Sequence, residues 1–296
     1  MVVTGKWKQS KYRIERALGE GANGKVYLAQ SDKGWLALKV GSDAVDLQSE
    51  INALRMMGKQ KGQAEEQFLF DVDDLRGPDG REYPFYTMKY VRGSTLAEYL
   101  RQYGMEWFPL VALNLLRKLA KLHTAGWAFG DLKVENVMVS DYGYVELVDY
   151  GGATAFGKSI RQFTEIYDRG YWNEGARSSD PGYDLFSFGV LCIQLHEPKK
   201  LQSLTKELLP QNRSAAELLA VAEGCPGLKP VTGWLRAAFS NEYRDAAEAA
   251  EAWRTLMHKR PGKRGSAVPG WLKGLAVTSG LLLAASIVWF LAADLM

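Results

Sequence analysis

The chain has 296 residues, of which 47% are hydrophobic and 24% are charged, a composition typical of a globular protein with one large domain or with two lobes and an extra segment. The formal net charge of +3 is too small to indicate a partner. Cys192 and Cys225 lack metal-ligand spacing and three scattered histidines cannot complete a zinc site, so we expect free thiols in a reducing compartment.

The N-terminal part of the chain is predicted to form strands around a glycine-rich turn. Its first residues, MVVTGKWKQSKYRIE, lack the apolar region of a secretory signal peptide. Residues 12–40 contain RIERALGEGANGKVYLAQ, then the turn SDKG, then WLALKV, which is rich in strand-forming residues. Residues 43–57 suit a short helix, and YPFYTMKYVRG indicates a further buried strand that ends at a glycine.

From Ser94 onward the pattern becomes helical. Residues 110–122 carry polar side chains at helical spacing in an otherwise apolar segment, which predicts a largely buried helix with one solvated stripe. The apolar runs NVMVS and YVELVDY flank the turn DYGY and predict a small hairpin. After residue 180 the chain is predicted to be helical, and HKRPGKRGSAVPG indicates a linker.

A membrane-spanning helix is predicted for residues 274–293, which include no charged residue. At about 1.5 Å per residue this segment matches the roughly 30 Å hydrocarbon core of a bilayer. A buried core helix is the alternative, but such helices usually carry a polar stripe. Basic residues precede the segment and no acidic residue lies between Glu251 and Gly274, so we expect the preceding part of the chain to be cytosolic, as in a single-pass cell-membrane protein.

The basic run at residues 258–273 is predicted to be a juxtamembrane linker that determines this topology. Two alternatives are a contact with anionic lipid and a contact with nucleic-acid phosphates, the second of which would weaken steeply as salt rises. The small-residue pairs Gly270/Gly274 and Gly280/Ala284 would let two spans approach, so a dimer is a further alternative to incidental spacing.

The glycine-rich sequence GEGANG at residues 19–24 predicts a phosphate-binding loop. A dinucleotide-binding loop would follow a strand and open a helix, whereas this one lies between two predicted strands. Such a hairpin covers the ATP phosphates in kinases, because glycines let backbone N–H groups approach the phosphate oxygens. Ala37 and Lys39 fall on one face of the next strand, where Ala37 would lie against adenine and Lys39 would reach the α- and β-phosphates. Glu50 opens EINALRMM, a helix able to aim its carboxylate at Lys39.

Two further motifs, FGDLKVEN at residues 129–136 and DYG at 149–151, complete a pattern that resembles the Hanks-type protein kinases over residues 12–257. The resemblance implies that Asp131 orients the substrate hydroxyl and accepts its proton. It implies that Lys133 neutralises charge on the transferring phosphoryl group. Asn136 and Asp149 would hold magnesium, or manganese in its place, since both side chains supply hard oxygen donors.

The resemblance also implies an α+β bilobal fold, with a β-rich N-lobe at residues 12–91 and a helical C-lobe at 92–257. ATP is expected between the lobes, and its γ-phosphoryl group would pass to serine or threonine hydroxyls of cytosolic proteins. Met88 would be the gatekeeper, and the backbone of the hinge would bind adenine. The implied nucleotide-contacting residues are Leu18, Gly19, Glu20, Gly21, Ala22, Asn23, Gly24, Lys25, Val26, Ala37, Lys39, Met88, Lys89 and Val91.

Two later segments imply structural anchors. The segment YDLFSFG resembles a helix start of this family and makes Asp184 an anchor beneath the catalytic loop. The segment SNEYRDAAEAAEAW puts Arg244 in the family's buried ion-pair position. No A-P-E motif precedes Asp184, which leaves Glu174 as the candidate partner of Arg244.

The chain departs from the family at Phe129 and Gly130, which replace the His and Arg before the catalytic acid. That arginine normally docks a phosphorylated activation loop, so we do not expect loop phosphorylation to switch the enzyme on. Candidate autophosphorylation sites, whose removal is expected to leave activity intact, are Thr154, Ser159 and Thr164.

The strings FGDLK, YDRGYW and YDLF, with the predicted C-terminal anchor, are most similar to the YabT-like membrane-anchored kinases of spore-forming bacteria, which implies a role in sporulation. Two other functions stay open. A small-molecule phosphotransferase of the choline or aminoglycoside kinase type is favoured by Gly130 but not by the full glycine loop or Lys133. A pseudokinase scaffold would be expected to lack the strand lysine, the catalytic aspartate or the metal-binding aspartate. Lys39, Asp131 and Asp149 are all present.

Overall fold

The computed structural model of the chain describes residues 1–21, 24–58, 68–77, 79–161, 163–259, 274–275, 277–283 and 285–286. The chain divides into two compact units, Met1–Arg254 and Thr255–Met296. The first unit contains every residue assigned above to catalysis, metal binding or nucleotide binding.

An antiparallel sheet of six strands forms the N-terminal part of the first unit, in the order β1-β2-β3-β4-β6-β5. Helix α1 (Ala44–Gly58) contacts β4, β5 and β6. The predicted strand–turn–strand, short helix and buried strand are all confirmed. The strands are β1 (Val2–Thr4), β2 (Lys11–Gly21), β3 (Gly24–Ser31), β4 (Gly34–Gly41), β5 (Leu69–Arg76) and β6 (Glu82–Lys89).

Side-chain alternation along β4 separates the core of the sheet from the functional face. Leu36 and Leu38 join a buried apolar cluster with Tyr12 and Phe85. The intervening Lys39 points to the opposite face, because successive side chains of a strand alternate. The strand pattern of the sequence therefore determines which face carries the lysine.

The C-terminal part of the first unit is mainly helical. Helix α4 is buried along nearly its whole length, which agrees with its apolar residues on all sides. Helix α3 confirms the helix predicted over residues 110–122. Cys192 in α4 and Cys225 are buried free thiols, as expected. The helices are α2 (Leu96–Tyr103), α3 (Phe108–Thr124), α4 (Pro181–His196), α5 (Pro198–Glu207), α6 (Ala215–Glu223), α7 (Thr232–Phe239) and α8 (Ala246–Lys259).

Short strands and 3₁₀ turns connect the sheet to these helices. The predicted small hairpin is confirmed by the antiparallel pairing of β9 with β10. The short strands are β7 (Ser94–Thr95), β8 (Trp127–Ala128), β9 (Val137–Val139), β10 (Val145–Leu147) and β11 (Thr154–Ala155). The 3₁₀ turns are Met105–Trp107, Val134–Asn136, Asp141–Gly143, Tyr150–Gly152, Glu165–Tyr167, Arg169–Trp172, Pro210–Asn212 and Lys229–Val231.

Asp184, fully buried in α4, anchors the segment before the catalytic loop, as predicted. Its carboxylate accepts the N–H groups of Phe129 at 2.7 Å and Gly130 at 2.9 Å. His123 lies 3.1 Å from the same carboxylate through Nε2, while its Nδ1 accepts the N–H of Ala246. Because Nδ1 is an acceptor, the ring hydrogen is on Nε2 and is donated to Asp184.

The prediction that Arg244 forms a buried ion pair is wrong. The Arg244 side chain is 82% exposed, and its near acid is the adjacent Asp245 at 3.4 Å. Glu174 instead accepts the N–H of Ala215 at the start of α6. The inward position is taken by the preceding Tyr243, whose ring packs against Trp234 at a centroid distance of 5.4 Å, whereas Arg244 lies in solvent.

A different arginine in this region is buried and forms an ion pair that is partly exposed at its acid. Arg169 is 7% exposed and binds both carboxylate oxygens of Asp180, at 2.8 and 2.5 Å. The same guanidinium group donates to the carbonyl oxygens of Ala176 and Ser178. This bidentate pair holds the segment before α4.

The C-terminal predictions fall mostly outside the described residues. The described residues between 274 and 286 are helical, whereas residues 260–273, 276, 284 and 287–296 lie outside the description. Among the residues that the structure describes, no helix is long and apolar enough to cross a bilayer. The span at 274–293 and the linker at 258–273 stay predictions.

The segment before residue 12, which lies outside the predicted kinase region, belongs to the sheet. Strand β1 pairs with β2, and the following turn is held by Asp73 of β5, which is 5% exposed. Its carboxylate accepts the N–H groups of Trp7 at 2.9 Å, Lys8 at 2.8 Å and Asp74 at 2.8 Å. Burial disfavours the charged form, but these N–H groups outweigh it and hold the pKa of Asp73 below its ordinary value.

Replacing Asp73 with Asn is expected to lower the free energy of unfolding by about 1–3 kcal/mol, because one acceptor oxygen becomes a donor facing a backbone N–H. Since the folded pKa is depressed, the contribution of Asp73 is present above the ordinary carboxyl pKa of about 3.9 and is lost as pH falls through the folded pKa. Urea unfolding at neutral and acidic pH measures both effects. The exposed Asp32→Asn is the control, and an equal loss in the two variants would contradict the assignment.

Candidate active site

The ammonium group of Lys39 on β4 lies between two carboxylates. Its Nζ is 2.7 Å from Oε2 of Glu50 on α1 and 2.8 Å from Oδ1 of Asp149, which follows β10. Lys39 and Glu50 are buried, at 3% and 2% exposure. The contact between Lys39 and Glu50 is the one expected from the sequence, and it joins the sheet, α1 and the C-terminal part of the unit.

The electrostatics of this cluster keep the lysine charged. Burial alone would lower the pKa of Lys39, but Glu50 and Asp149 raise it above its ordinary value. Burial raises the pKa of Glu50, and the positive charge of Lys39 offsets only part of that rise. Burial also opposes ionisation of Asp149, yet Lys39 lowers its pKa below the ordinary value. A cation that stays protonated beside an ionised Asp149 is suited to bind phosphate oxygens.

The backbone of Asp149 is in the left-handed region, with φ of 62° and ψ of 78°. Its side chain accepts the N–H of Gly151 at 3.4 Å as well as Lys39. Residues other than glycine adopt this conformation at a cost of about 1–3 kcal/mol, and such strain concentrates at functional sites. The conformation turns the Asp149 carboxylate toward Lys39.

Asp131, the predicted catalytic aspartate, is held by three side chains. Lys133 donates to its Oδ2 at 2.7 Å, and the Thr164 hydroxyl donates to its Oδ1 at 2.8 Å. The amide nitrogen of Asn136 donates to the backbone carbonyl of Asp131 at 2.9 Å. Because both carboxylate oxygens have donors, the rotamer of Asp131 is fixed.

Asn136 and Asp149, the predicted metal ligands, come together through the backbone. The N–H of Val148 donates to the carbonyl oxygen of Asn136 at 3.0 Å, which brings the next residue, Asp149, beside Asn136. The Asn136 amide nitrogen is engaged by Asp131, so its Oδ1 is the atom that faces other partners. One carboxylate and one amide oxygen fit magnesium, which usually takes few protein ligands and completes its shell with water and phosphate oxygens.

The predicted nucleotide-contacting residues lie along the paired strands. Leu18, Gly19, Glu20 and Gly21 are on β2, and Gly24, Lys25 and Val26 are on β3, with Gly19 opposite Val26 and Glu20 opposite Lys25. Ala22 and Asn23 lie outside the described residues. Gly24 has φ of 131°, and a Cβ there would collide with the carbonyl oxygen of Val40, so the turn requires glycine at this position.

The adenine side of the predicted site is formed by β4 and β6. Ala37 pairs directly with Met88 across the two strands, and both are buried. Lys89 ends β6, with its Nζ 4.0 Å from the buried Glu146 of β10, and Val91 follows, half-buried. Glu146 pairs more closely with Lys118 of α3, at 2.7 Å.

Phe129 and Gly130, which replace the family's His and Arg before Asp131, have local structural reasons. The ring of Phe129 meets Tyr150 edge-on with centroids 5.4 Å apart, and Tyr150 meets Phe68 at 5.2 Å. Gly130 has φ of 81°, and a Cβ there would collide with the carbonyl oxygen of Gly152. An aromatic and a glycine thus suit the close approach of this loop to the DYG turn.

Two functional contacts were missed by the sequence analysis. Thr164 was considered only as a phosphorylation candidate, yet its hydroxyl contacts Asp131 and lies 3.3 Å from Lys133. Tyr86 on β6 donates its hydroxyl to Oε1 of Glu50 at 2.8 Å. Both pairs are more than 30 residues apart, and no local spacing in the sequence indicates either.

Comparisons with known proteins agree with this geometry. Residues 12–269 match the protein kinase domain family. The chain is 36% identical over 249 residues to the serine/threonine-protein kinase YabT of Bacillus subtilis, covering 83% of this chain and 71% of that one. It is 31% identical over 198 residues to the serine/threonine-protein kinase PknL of Mycobacterium tuberculosis, covering 63% of this chain and 49% of the relative. The chain therefore belongs to the protein kinase family and is an ATP-dependent protein serine/threonine kinase.

Proposed function

We propose that this kinase transfers the γ-phosphoryl group of ATP to serine or threonine hydroxyls of cytosolic proteins through the cluster around Lys39 and Asp131. The observation that carries the proposal is the Lys39 ammonium group, 2.7 Å from Glu50 and 2.8 Å from Asp149. A lysine of ordinary structural role would lie in solvent rather than between two carboxylates of distant segments. Phosphoryl transfer depends mainly on positioning and charge neutralisation, and this cluster supplies both.

Each side chain has its own role in the proposed reaction. Lys39 neutralises the α- and β-phosphates, and Glu50 keeps Lys39 in place. Asp131 orients the substrate hydroxyl and accepts its proton. Lys133 neutralises charge on the transferring group, and its contact with Asp131 places it beside that proton transfer.

Protein kinases use ATP with a divalent metal ion, typically magnesium. In our proposal Asn136 and Asp149 hold that ion, with manganese as an alternative, and the metal supplies further neutralisation of phosphate charge. The support is the pair of hard oxygen donors that the Asn136–Val148 hydrogen bond brings together. Adenine is proposed to lie against Ala37 and Met88, beneath the β2–β3 hairpin.

The alternatives are less well supported. A pseudokinase typically lacks one of the charged groups, whereas Lys39, Asp131 and Asp149 are all present with ordered partners. A small-molecule phosphotransferase is not favoured by the match to the protein kinase family over residues 12–269.

Replacing Asp131 with Asn is expected to lower kcat for protein phosphorylation by about a hundredfold or more, because a general base contributes about 10²–10⁴-fold. Lys39→Met should cause a comparable loss. Transfer of labelled phosphate from ATP to a generic protein substrate measures both, with aminoglycosides and choline as competing acceptors. The exposed Asp141→Asn is the matched control, and unchanged turnover in Asp131→Asn would contradict the proposed role.

Thr164 acts in this proposal as a positioning group for Asp131, which revises the expectation that its removal leaves activity intact. Thr164→Val keeps the side-chain shape but removes the hydroxyl, so kcat is expected to fall about tenfold through the lost hydrogen bonds to charged groups. Thr164→Ser should retain most activity. The exposed Ser159→Ala is the control, and equal kcat values for Thr164→Val and Ser159→Ala would contradict this role.

We also propose that the chain is anchored in the cell membrane through residues 274–293, with the kinase unit in the cytosol. The support is the sequence, which has no charge across this segment and a basic run before it. A role in sporulation is a further part of the proposal. It is supported by the motif resemblance and by the 36% identity to a kinase of a spore-forming bacterium.

Anchoring predicts that the full chain sediments with membranes and resists extraction by high salt and by alkaline carbonate, but is released by detergent. The double substitution Leu282→Arg and Ile287→Arg is expected to abolish carbonate resistance, since each central charge costs about 2.5–3.5 kcal/mol of insertion. Kinase activity in detergent is the control for folding. Release of the unaltered chain by salt alone would contradict a spanning anchor and indicate attachment by charge.

A further inference from the structure

Both carboxylate oxygens of Glu50 are bound by groups of the sheet. Lys39 on β4 binds Oε2 at 2.7 Å, and the Tyr86 hydroxyl on β6 donates to Oε1 at 2.8 Å. Lys39 and Tyr86 are directly opposite each other in the β4–β6 pair. Tyr86 is fully buried, and Glu50 is 2% exposed. Two hydrogen bonds from the sheet to the Glu50 carboxylate therefore hold helix α1 against the sheet.

The hydrogen bonds from Lys39 and from Tyr86 to Glu50 are not equivalent. Lys39 also contacts Asp149 and is assigned to the phosphates of ATP, so its bond to Glu50 is shared with other partners. The Tyr86 hydroxyl donates to Glu50 and is not among the groups assigned above to the phosphates. Removing it would leave Oε1 of a buried carboxylate without this donor, which strongly disfavours the ionised, inward position of Glu50.

We propose that Tyr86 is a positioning residue whose phenol holds Glu50, and through it Lys39, in the arrangement for phosphoryl transfer. This inference rests on the roles proposed above for Lys39 and Glu50.

The test compares Tyr86→Phe with Tyr12→Phe in the full chain after phosphatase treatment. Tyr12 is a matched control, because it is buried in the same sheet and donates its hydroxyl to a carboxylate, Asp71, at 2.8 Å. Tyr86→Phe is expected to lower kcat about tenfold, while the KM for protein substrate stays unchanged. Tyr12→Phe should lower the Tm without changing kcat.

A double-mutant cycle separates positioning from a general effect on stability. If Tyr86 acts through Glu50, the double variant Glu50→Gln/Tyr86→Phe is no less active than Glu50→Gln alone. Multiplicative losses, equal kcat values for Tyr86→Phe and Tyr12→Phe, or a Tyr86→Phe chain that does not fold would each overturn the proposal. Full activity in both Lys39→Met and Asp131→Asn would instead overturn the proposed function of the site.

Discussion

The arrangement of the active site depends on one buried ammonium group that binds two carboxylates. Lys39 belongs to the sheet, Glu50 to α1, and Asp149 to the segment after β10, so a single charge joins three parts of the chain. A buried charge without its partner costs several kcal/mol, which makes the position of each segment conditional on the other two. The same contact aligns the lysine with the candidate metal ligands.

The catalytic loop is fixed from two sides by hydrogen bonds to carboxylates. Below it, Asp184 accepts the N–H groups of Phe129 and Gly130. Within the loop, Asp131 accepts hydrogen bonds from Lys133 and from Thr164 of a later segment. Hydrogen bonds to ionised groups are shorter and stronger than those between neutral groups, so the loop is held more firmly than its lack of regular secondary structure would indicate.

Local patterns in the sequence predicted the glycine-rich hairpin, the strand of Lys39, helix α1, the β9–β10 hairpin and the anchor Asp184. Each depends on residues close in the chain or on a motif of fixed spacing. The sequence did not indicate Thr164 or Tyr86, because their partners lie far away in the chain and only tertiary packing brings them together. Arg244 was predicted to be buried for a related reason, since a motif gives residue order but not the direction of a side chain at a helix start.

The outer edge of the sheet is a feature with consequences for solubility. Strand β1 has only three residues and pairs with Lys11–Arg13, so among the residues that the structure describes most of the longer β2 has no strand partner on that side. Open edges of this kind invite pairing with another chain. Strand β2 has register shifts between Ile14 and Arg16 and between Ala17 and Gly19, which interrupt its regular ladder. These register shifts keep β2 from presenting a flat template for intermolecular β-sheet growth.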